Sequence, residues 1–416
     1  MEAAGAIARY NCAESKKQEE SPMKAINQFR TRILACLCIL SGITGAVACS
    51  SAAAPQPEFR TVTISNLEPR RDVTGAIVDA HDGDMLFANG RYYLYGTAYG
   101  KTAGYGINNR FRVYSSPDLT HWTFEGELLK SPPDGIVYCP SVVYNSRTHK
   151  YVLWYNWYPR LWDGQVAVAV SDTPIGPFTI VNLRVQVTQA EQRPEAGTVF
   201  VDDDGTGYFI YSAIGALPDS KNGAALPDHS VRVERLTPDF LGSTGQVSDV
   251  LATGCEGTSM LKHDGRYYAL FDHDCCFCKE GSGARVYVAS NPLGPYKETA
   301  NINMSPSHRP TVAGQQASIA RIPTPDGVAL IWVADRWGSR PDGVKGHDFQ
   351  FWSAPLRFDS AGNIMPIANV PEWSLKVRVG AASSPHNAKL YIWPKKKVPN
   401  PLKIDPCTGA PLPPEE

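Results

Sequence analysis

Charge of one sign, long hydrophobic runs and helical periodicity are all scarce in this 416-residue chain, and each scarcity narrows its role. Lys and Arg total 40 against 41 Asp and Glu, so no net field draws the chain to nucleic acid or to an anionic membrane. The apolar run Ile33-Leu-Ala-Cys-Leu-Cys-Ile-Leu40 is too short to span a bilayer, and no transmembrane span is expected. Long amphipathic helices are missing, which leans the reading toward an all-β fold. Cys275-Cys276-Phe277-Cys278 has no second cysteine pair at zinc-ligand spacing, so a disulfide or buried thiols, not a metal, are expected there.

What is abundant points the same way. The chain holds 33 Pro, 35 Gly and 19 Tyr, a composition of short strands joined by tight turns. Residues 1–57 differ in kind. Lys24, Arg30 and Arg32 precede the apolar run and Ala46-Val47-Ala48-Cys49 follows it, the layout of a secretory signal. That ending also resembles a bacterial lipobox in which Cys49 is lipidated; ordinary cleavage nearby is the alternative. The protein is expected to be secreted or held at an outer surface. Past the signal, Cys139, Cys255, Cys275, Cys276, Cys278 and Cys407 remain, free to oxidise in an exported chain.

A repeated unit organises residues 58–380. A polar turn followed by an aromatic strand occurs at Asn89–Tyr95, Asn145–Tyr155, Asp202–Tyr211, His263–Leu270 and Asp326–Trp332, roughly 60 residues apart. A second strand and turn follow each copy, as in Val113–Leu119 and Val286–Pro292. Two hairpin signals per repeat predict four antiparallel strands per unit. Such a unit cannot bury both faces alone, so five of them predict a five-bladed β-propeller. Residues 381–416, with Pro394-Lys-Lys-Lys-Val-Pro399, read as a Pro/Lys-rich tail.

In a propeller the innermost strands converge on one axis. Asp79-Ala-His-Asp-Gly-Asp-Met85 and Gly254-Cys-Glu-Gly-Thr-Ser-Met260 stand just before the aromatic strands of the first and fourth units. A carboxylate is costly to bury on an inner strand unless chemistry needs it. Glycoside hydrolysis needs two, one to protonate the departing oxygen and one to activate water. Glu256 and Asp82 are the candidates for acid and base, with Asp79 and Asp84 competing for the second role.

These residues resemble glycoside hydrolase family 43. Glu256-Gly257 ahead of Tyr267-Tyr268 is similar to that family's acid motif, and Asp82 falls at its base position. Ala80-His81-Asp82-Gly83, Gly314-Gln315 and Asp335-Arg336-Trp337 resemble the exo-β-1,3-galactanase branch, although that branch has Gly where Asp82 stands. The resemblance implies an exo-acting, inverting hydrolase of plant-type polysaccharide such as β-1,3-galactan or arabinogalactan. α-L-Arabinofuranosidase, β-xylosidase and a non-catalytic sugar-binding propeller are the alternatives. The family's third-blade Asp, which adjusts the acid, falls at Ala196, and the side chain of the adjacent Glu195 is expected on the opposite strand face. Substrate contacts are expected from His81, Gln315, Trp157, Trp162, Arg336 and Trp337, because sugars stack on aromatic rings and bind through hydroxyls. The partner is an oligo- or polysaccharide, the protein a monomer, and no cofactor is required. A structural calcium ion in the central channel also follows from the resemblance, although the family's usual His is replaced near Gln315-Gln316.

Overall fold

The computed structural model describes residues 57–159, 163–188, 193–214, 229–275 and 277–380. The signal segment with Cys49, the Pro/Lys-rich tail with Cys407, and Arg160, Trp162 and Cys276 lie outside the described residues. Among the described residues no helix is long and apolar enough to cross a membrane.

The chain opens with β1 (Glu58–Ser65) and then builds five antiparallel sheets in succession. The first blade is β2 (Met85–Ala88), β3 (Arg91–Ala98), β4 (Arg110–Ser116) and β5 (Thr123–Glu127). The second is β6 (Ile136–Asn145), β7 (Lys150–Tyr158), β8 (Gln165–Ser171) and β9 (Thr179–Asn182). The third is β10 (Pro194–Val201), β11 (Gly207–Ala213), β12 (Ser230–Leu236) and β13 (Ser243–Val247). The fourth is β14 (Cys255–His263), β15 (Arg266–His273), β16 (Arg285–Ala289) and β17 (Lys297–Asn301). The fifth has only three strands, β18 (Gln315–Thr324), β19 (Gly327–Arg336) and β20 (Phe349–Trp352), one short of the expected four. After β20 the chain leaves this sheet, and β21 (Glu372–Val379) pairs with β1 along its whole length.

The innermost strands β2, β6, β10, β14 and β18 each contact the next, and β18 returns to β2, which closes the five-bladed propeller. Each gap between blades is a separate apolar core. Tyr95, Phe111 and Tyr155 fill the first gap, and Trp154, Phe209 and Tyr211 the second. Ile210, Tyr267 and Phe271 fill the third, and Leu270, Trp332 and Phe351 the fourth. The β1–β21 ribbon contributes Ile64, Trp373 and Val377 to the core between blades five and one. A fully buried aromatic removes some 150–250 Å² from water, about 4–6 kcal/mol of transfer free energy each before conformational entropy is subtracted.

One irregularity recurs in every blade. The inner strand slips register at its axial end: between Tyr138 and Ser141, Glu195 and Thr198, Glu256 and Ser259, and Gln316 and Ser318. In blade one, His81 pairs with Thr97 while the Asp84 carbonyl accepts from the Tyr95 N–H, so Asp82 and Gly83 bulge from the line of β2. A bulge breaks the strict in-and-out alternation of a strand and re-aims the side chains beside it. Gly83 is required here, since a Cβ would lie 2.1 Å from the Tyr95 carbonyl oxygen.

Candidate active site

The five bulges surround one cavity of about 580 Å³, counted to its open mouth. Asp82, Glu195, Glu256 and Asp335 line it, together with Gln315, Tyr105, Phe277 and Trp337. Asp82 and Glu256, far apart in sequence, therefore face a common space. No Lys or Arg is among the described residues that line it.

Asp82 adopts a left-handed backbone conformation (φ 53°). That conformation costs a non-glycine residue on the order of 1 kcal/mol. It is held there because its N–H donates to Asp335 Oδ2 at 2.9 Å. The Tyr99 hydroxyl donates a short hydrogen bond to Asp82 Oδ2. Burial pushes the Asp82 carboxyl up to about 8, and the Asp335 and Glu256 charges add to this against the Tyr99 hydroxyl and His81. His81 lies beneath, 1% exposed, with Nδ1 donating to Asp335 Oδ1 at 3.0 Å and Nε2 3.7 Å from Asp79 Oδ1. Burial disfavours its charge, but Asp335, Asp79 and Asp82 outweigh burial and lift His81 to about 9.

Glu256 stands at the β14 bulge, where Gly257 takes φ 62°. Its Oε1 accepts the Cys275 N–H at 2.9 Å and the Gln315 amide at 2.6 Å. The other face of Gln315 accepts from Trp337 Nε1 at 2.7 Å. Burial raises the Glu256 carboxyl to about 7; His229 and the Cys275 N–H pull it down while Glu195 and Asp274 push it up.

Glu195 corrects the sequence expectation. Strict alternation put its side chain on the far face, but the slip between Glu195 and Thr198 breaks alternation, and Glu195 lines the same cavity as Glu256. Its Oε2 accepts the hydroxyls of Tyr158 and Tyr138, and its Oε1 contacts His229 Nε2. So a carboxylate stands beside the acid despite Ala196. Ser141, at the second blade's bulge, instead donates to Asp84 at 2.8 Å, which keeps Asp84 out of the cavity lining.

Of the expected substrate contacts, Gln315 and Trp337 line the cavity. Trp337 forms an aromatic wall with Phe277, ring centres 4.9 Å apart, and with Tyr99 at 5.6 Å. Three expectations are revised. Trp157 belongs to the core between blades one and two and donates to the Asp134 carbonyl at 2.8 Å. Arg336 stacks over Phe349, its guanidinium carbon 5.2 Å from the ring centre, and does not line the cavity. His81 supports Asp82 through Asp335 without reaching the cavity. Trp162 falls outside the described residues. Sequence reasoning gave Asp335 no part in holding Asp82 and assigned no role to Phe277 or His229. Tyr99 and Asp335 were legible as residues at axial strand ends, where every blade delivers its polar groups; His229 had no such signal.

Among the described residues, two clusters bring three metal-type donors within 4.8 Å of one another: His273, Cys275 and Cys278, and Glu195, His229 and Glu256. In the first, Cys275 and Cys278 are joined as a disulfide. In the second, His229 Nε2 is already engaged by Glu195. The Gln315-Gln316 position does not fit a channel calcium through Gln316, whose oxygen accepts Trp332 Nε1 at 2.9 Å and whose amide donates to the Gly257 carbonyl.

A family model described as "Glycosyl hydrolases family 43" matches residues 76–333. The chain is 27% identical over 255 residues to an arabinoxylan arabinofuranohydrolase of Paenibacillus polymyxa, across 52% of this chain and 38% of that protein. It thus spans well under two thirds of the curated arabinofuranohydrolases it matches. A solved β-1,3-galactosidase with galactodeoxynojirimycin superposes with a TM-score of 0.61 at 26% identity, over 74% of this chain and 99% of that one. The exo-β-1,3-galactanase of Clostridium thermocellum gives a TM-score of 0.62 at 23% identity, over 77% and 68%, and at that identity the likeness speaks to fold alone.

Proposed function

The chain belongs to the glycosyl hydrolases family 43, and from that premise we propose that it removes terminal sugars from a plant-type polysaccharide of the β-1,3-galactan class, with inversion. The observation that carries this reading is one cavity lined by both Asp82 and Glu256 with aromatic rings on its wall. Glu256 receives its two hydrogen bonds on Oε1, which leaves Oε2 to hold the proton. In a single displacement that proton passes to the glycosidic oxygen as its bond to the anomeric carbon breaks. Water attacks that carbon from the opposite side, and Asp82 takes the water's proton. The productive form carries one proton on Glu256 and none on Asp82. Trp337, Phe277 and Tyr105 offer faces for the sugar's C–H groups. The reaction as written uses no cofactor.

Asp82 also favours a second reading, α-L-arabinofuranosidase, because the galactanase-type motif has glycine at that position. Glu195 beside Glu256 speaks against a purely sugar-binding propeller, since a binding surface has no use for a tuned acid. We expect the protein to act as an exported monomer. Palmitate labelling separates a lipid anchor at Cys49 from simple release.

The test compares release of sugar from β-1,3-galactan with hydrolysis of nitrophenyl β-galactoside, α-arabinofuranoside and β-xyloside. Glu256→Gln should lose at least ~10²-fold in turnover while still binding sugar. Full turnover in that variant, or a retained anomer in the first product by proton NMR, would refute the mechanism.

A further inference from the structure

Four carboxyl groups line the cavity, and two buried histidines stand against them. His81 backs Asp82 and Asp335. On the opposite wall His229, 5% exposed, backs Glu195 and Glu256. His229 precedes β12, and its ring is clamped from both sides. Nε2 meets Glu195 Oε1, and Nδ1 lies 3.3 Å from Asp274 Oδ2. The clamp extends to the backbone: the His229 carbonyl accepts the Cys255 N–H, next to Glu256, and the Asp274 N–H donates to the Gly254 carbonyl at 3.0 Å. His229, Glu195 and Glu256 thus meet as one group where the axial ends of β10 and β14 approach.

We propose that His229 is a positioning residue that, held as a cation between Glu195 and Asp274, sets the proton affinity of Glu256. The charged and titratable groups facing Glu256 are Glu195 from β10, His229, Asp272 on β15, Asp274 just after β15, and, across the cavity, Asp82, Tyr105 and Cys139. Without a cation the Glu195 and Asp274 carboxylates drive Glu256 further toward its neutral form, and a carboxyl whose pKa is pushed too high is a weaker proton donor to the leaving oxygen. The imidazolium offsets one of the adjacent negative charges. Burial alone would discharge His229, yet Glu195 and Asp274 lift it to about 11, so it stays charged across the working range. The neighbouring carboxylates act in the opposite sense, so the two partners of the clamp have opposite signs of effect on Glu256.

The inference deepens the hydrolase reading, but its test does not require turnover. The protein carrying ¹³C-labelled glutamate side chains is titrated by NMR, with Glu256→Gln identifying the Glu256 carboxyl signal. In His229→Gln the Glu256 midpoint should rise by about one pH unit, and in Asp274→Asn it should fall by about half a unit or more. Damage to packing would not produce shifts of opposite sign. An unchanged midpoint in His229→Gln, or movement in the same direction in both variants, overturns the proposal. If His229→Gln does not fold, Asp274→Asn decides, with a rise or no movement refuting it. Absence of glycoside cleavage by the wild-type protein would sink the hydrolase reading and leave this titration standing.

Discussion

Tyr99→Phe isolates one hydrogen bond at the base. The ring is retained, so its contacts with Trp337 at 5.6 Å and Phe277 at 5.5 Å are kept, and only the hydroxyl that donates to Asp82 is lost. A hydrogen bond to a charged group contributes about 1.5–3 kcal/mol, and at 1.36 kcal/mol per unit its loss raises the Asp82 pKa by ~1–2 units. The sign follows from which form the bond favours: the phenol donates to the ionised carboxylate, so removing it favours the protonated one. Asp82 is already raised to about 8, so the ionised fraction at acid and neutral pH falls further. On the acid side of the profile kcat/KM depends on how much Asp82 is ionised, and there it should drop about tenfold to a hundredfold. On the alkaline side the rate depends on the proton left on Glu256, and variant and wild type should converge. The assay is kcat/KM on an aryl glycoside across pH, with a thermal unfolding midpoint as the folding control. A loss of equal size at every pH, or an acid side that does not move, would refute Asp82 as the base held by Tyr99.

Glu195→Gln should give the mirror image. The Glu195 and Glu256 carboxyls lie within 4.8 Å of each other, where Coulomb energy is at least about 1 kcal/mol in water and about 3.5 at an effective dielectric near 20, and the freed His229 cation adds to the same effect. The Glu256 pKa should fall by about one unit or more, lowering the alkaline-side rate and sparing the acid side; an unmoved alkaline side would show that Glu195 does not tune the acid. Gly83→Ala places a Cβ 2.1 Å from the Tyr95 oxygen and 2.7 Å from the Gly96 Cα. It should cost ~1–3 kcal/mol or more and depress kcat, read by denaturant unfolding and kinetics together; a stable, fully active variant would remove the bulge from the account. Trp157→Phe should lose about 1–2 kcal/mol of stability through its bond to Asp134 and lost volume with KM unchanged. A raised KM with unchanged stability would return Trp157 to the substrate site.

The repeat spacing and the turn-then-aromatic pattern made the blades readable, because each blade is a local unit with its own hairpins. Glu256 and Asp82 were readable for the same reason: they occupy one position of a repeated unit, and a charge on an inner strand is conspicuous. Trp157 misled because an aromatic at a strand end looks the same whether it faces a sugar or the next blade. Only the packing of Val137, Tyr155 and Trp157 in one core distinguishes the two.

What the linear chain determined by itself was the number of blades, the strands within most of them, and the pair of acids at the axis. Strand periodicity and turn chemistry are properties of neighbouring residues. Closure of the ring decided the rest. The bulges turn Glu195 into the cavity, Tyr99 is brought to Asp82, and His229 is seated between Glu195 and Asp274. Electrostatic control of a buried carboxyl depends on distance through space and on burial, and neither is encoded in the separation of residues along the chain.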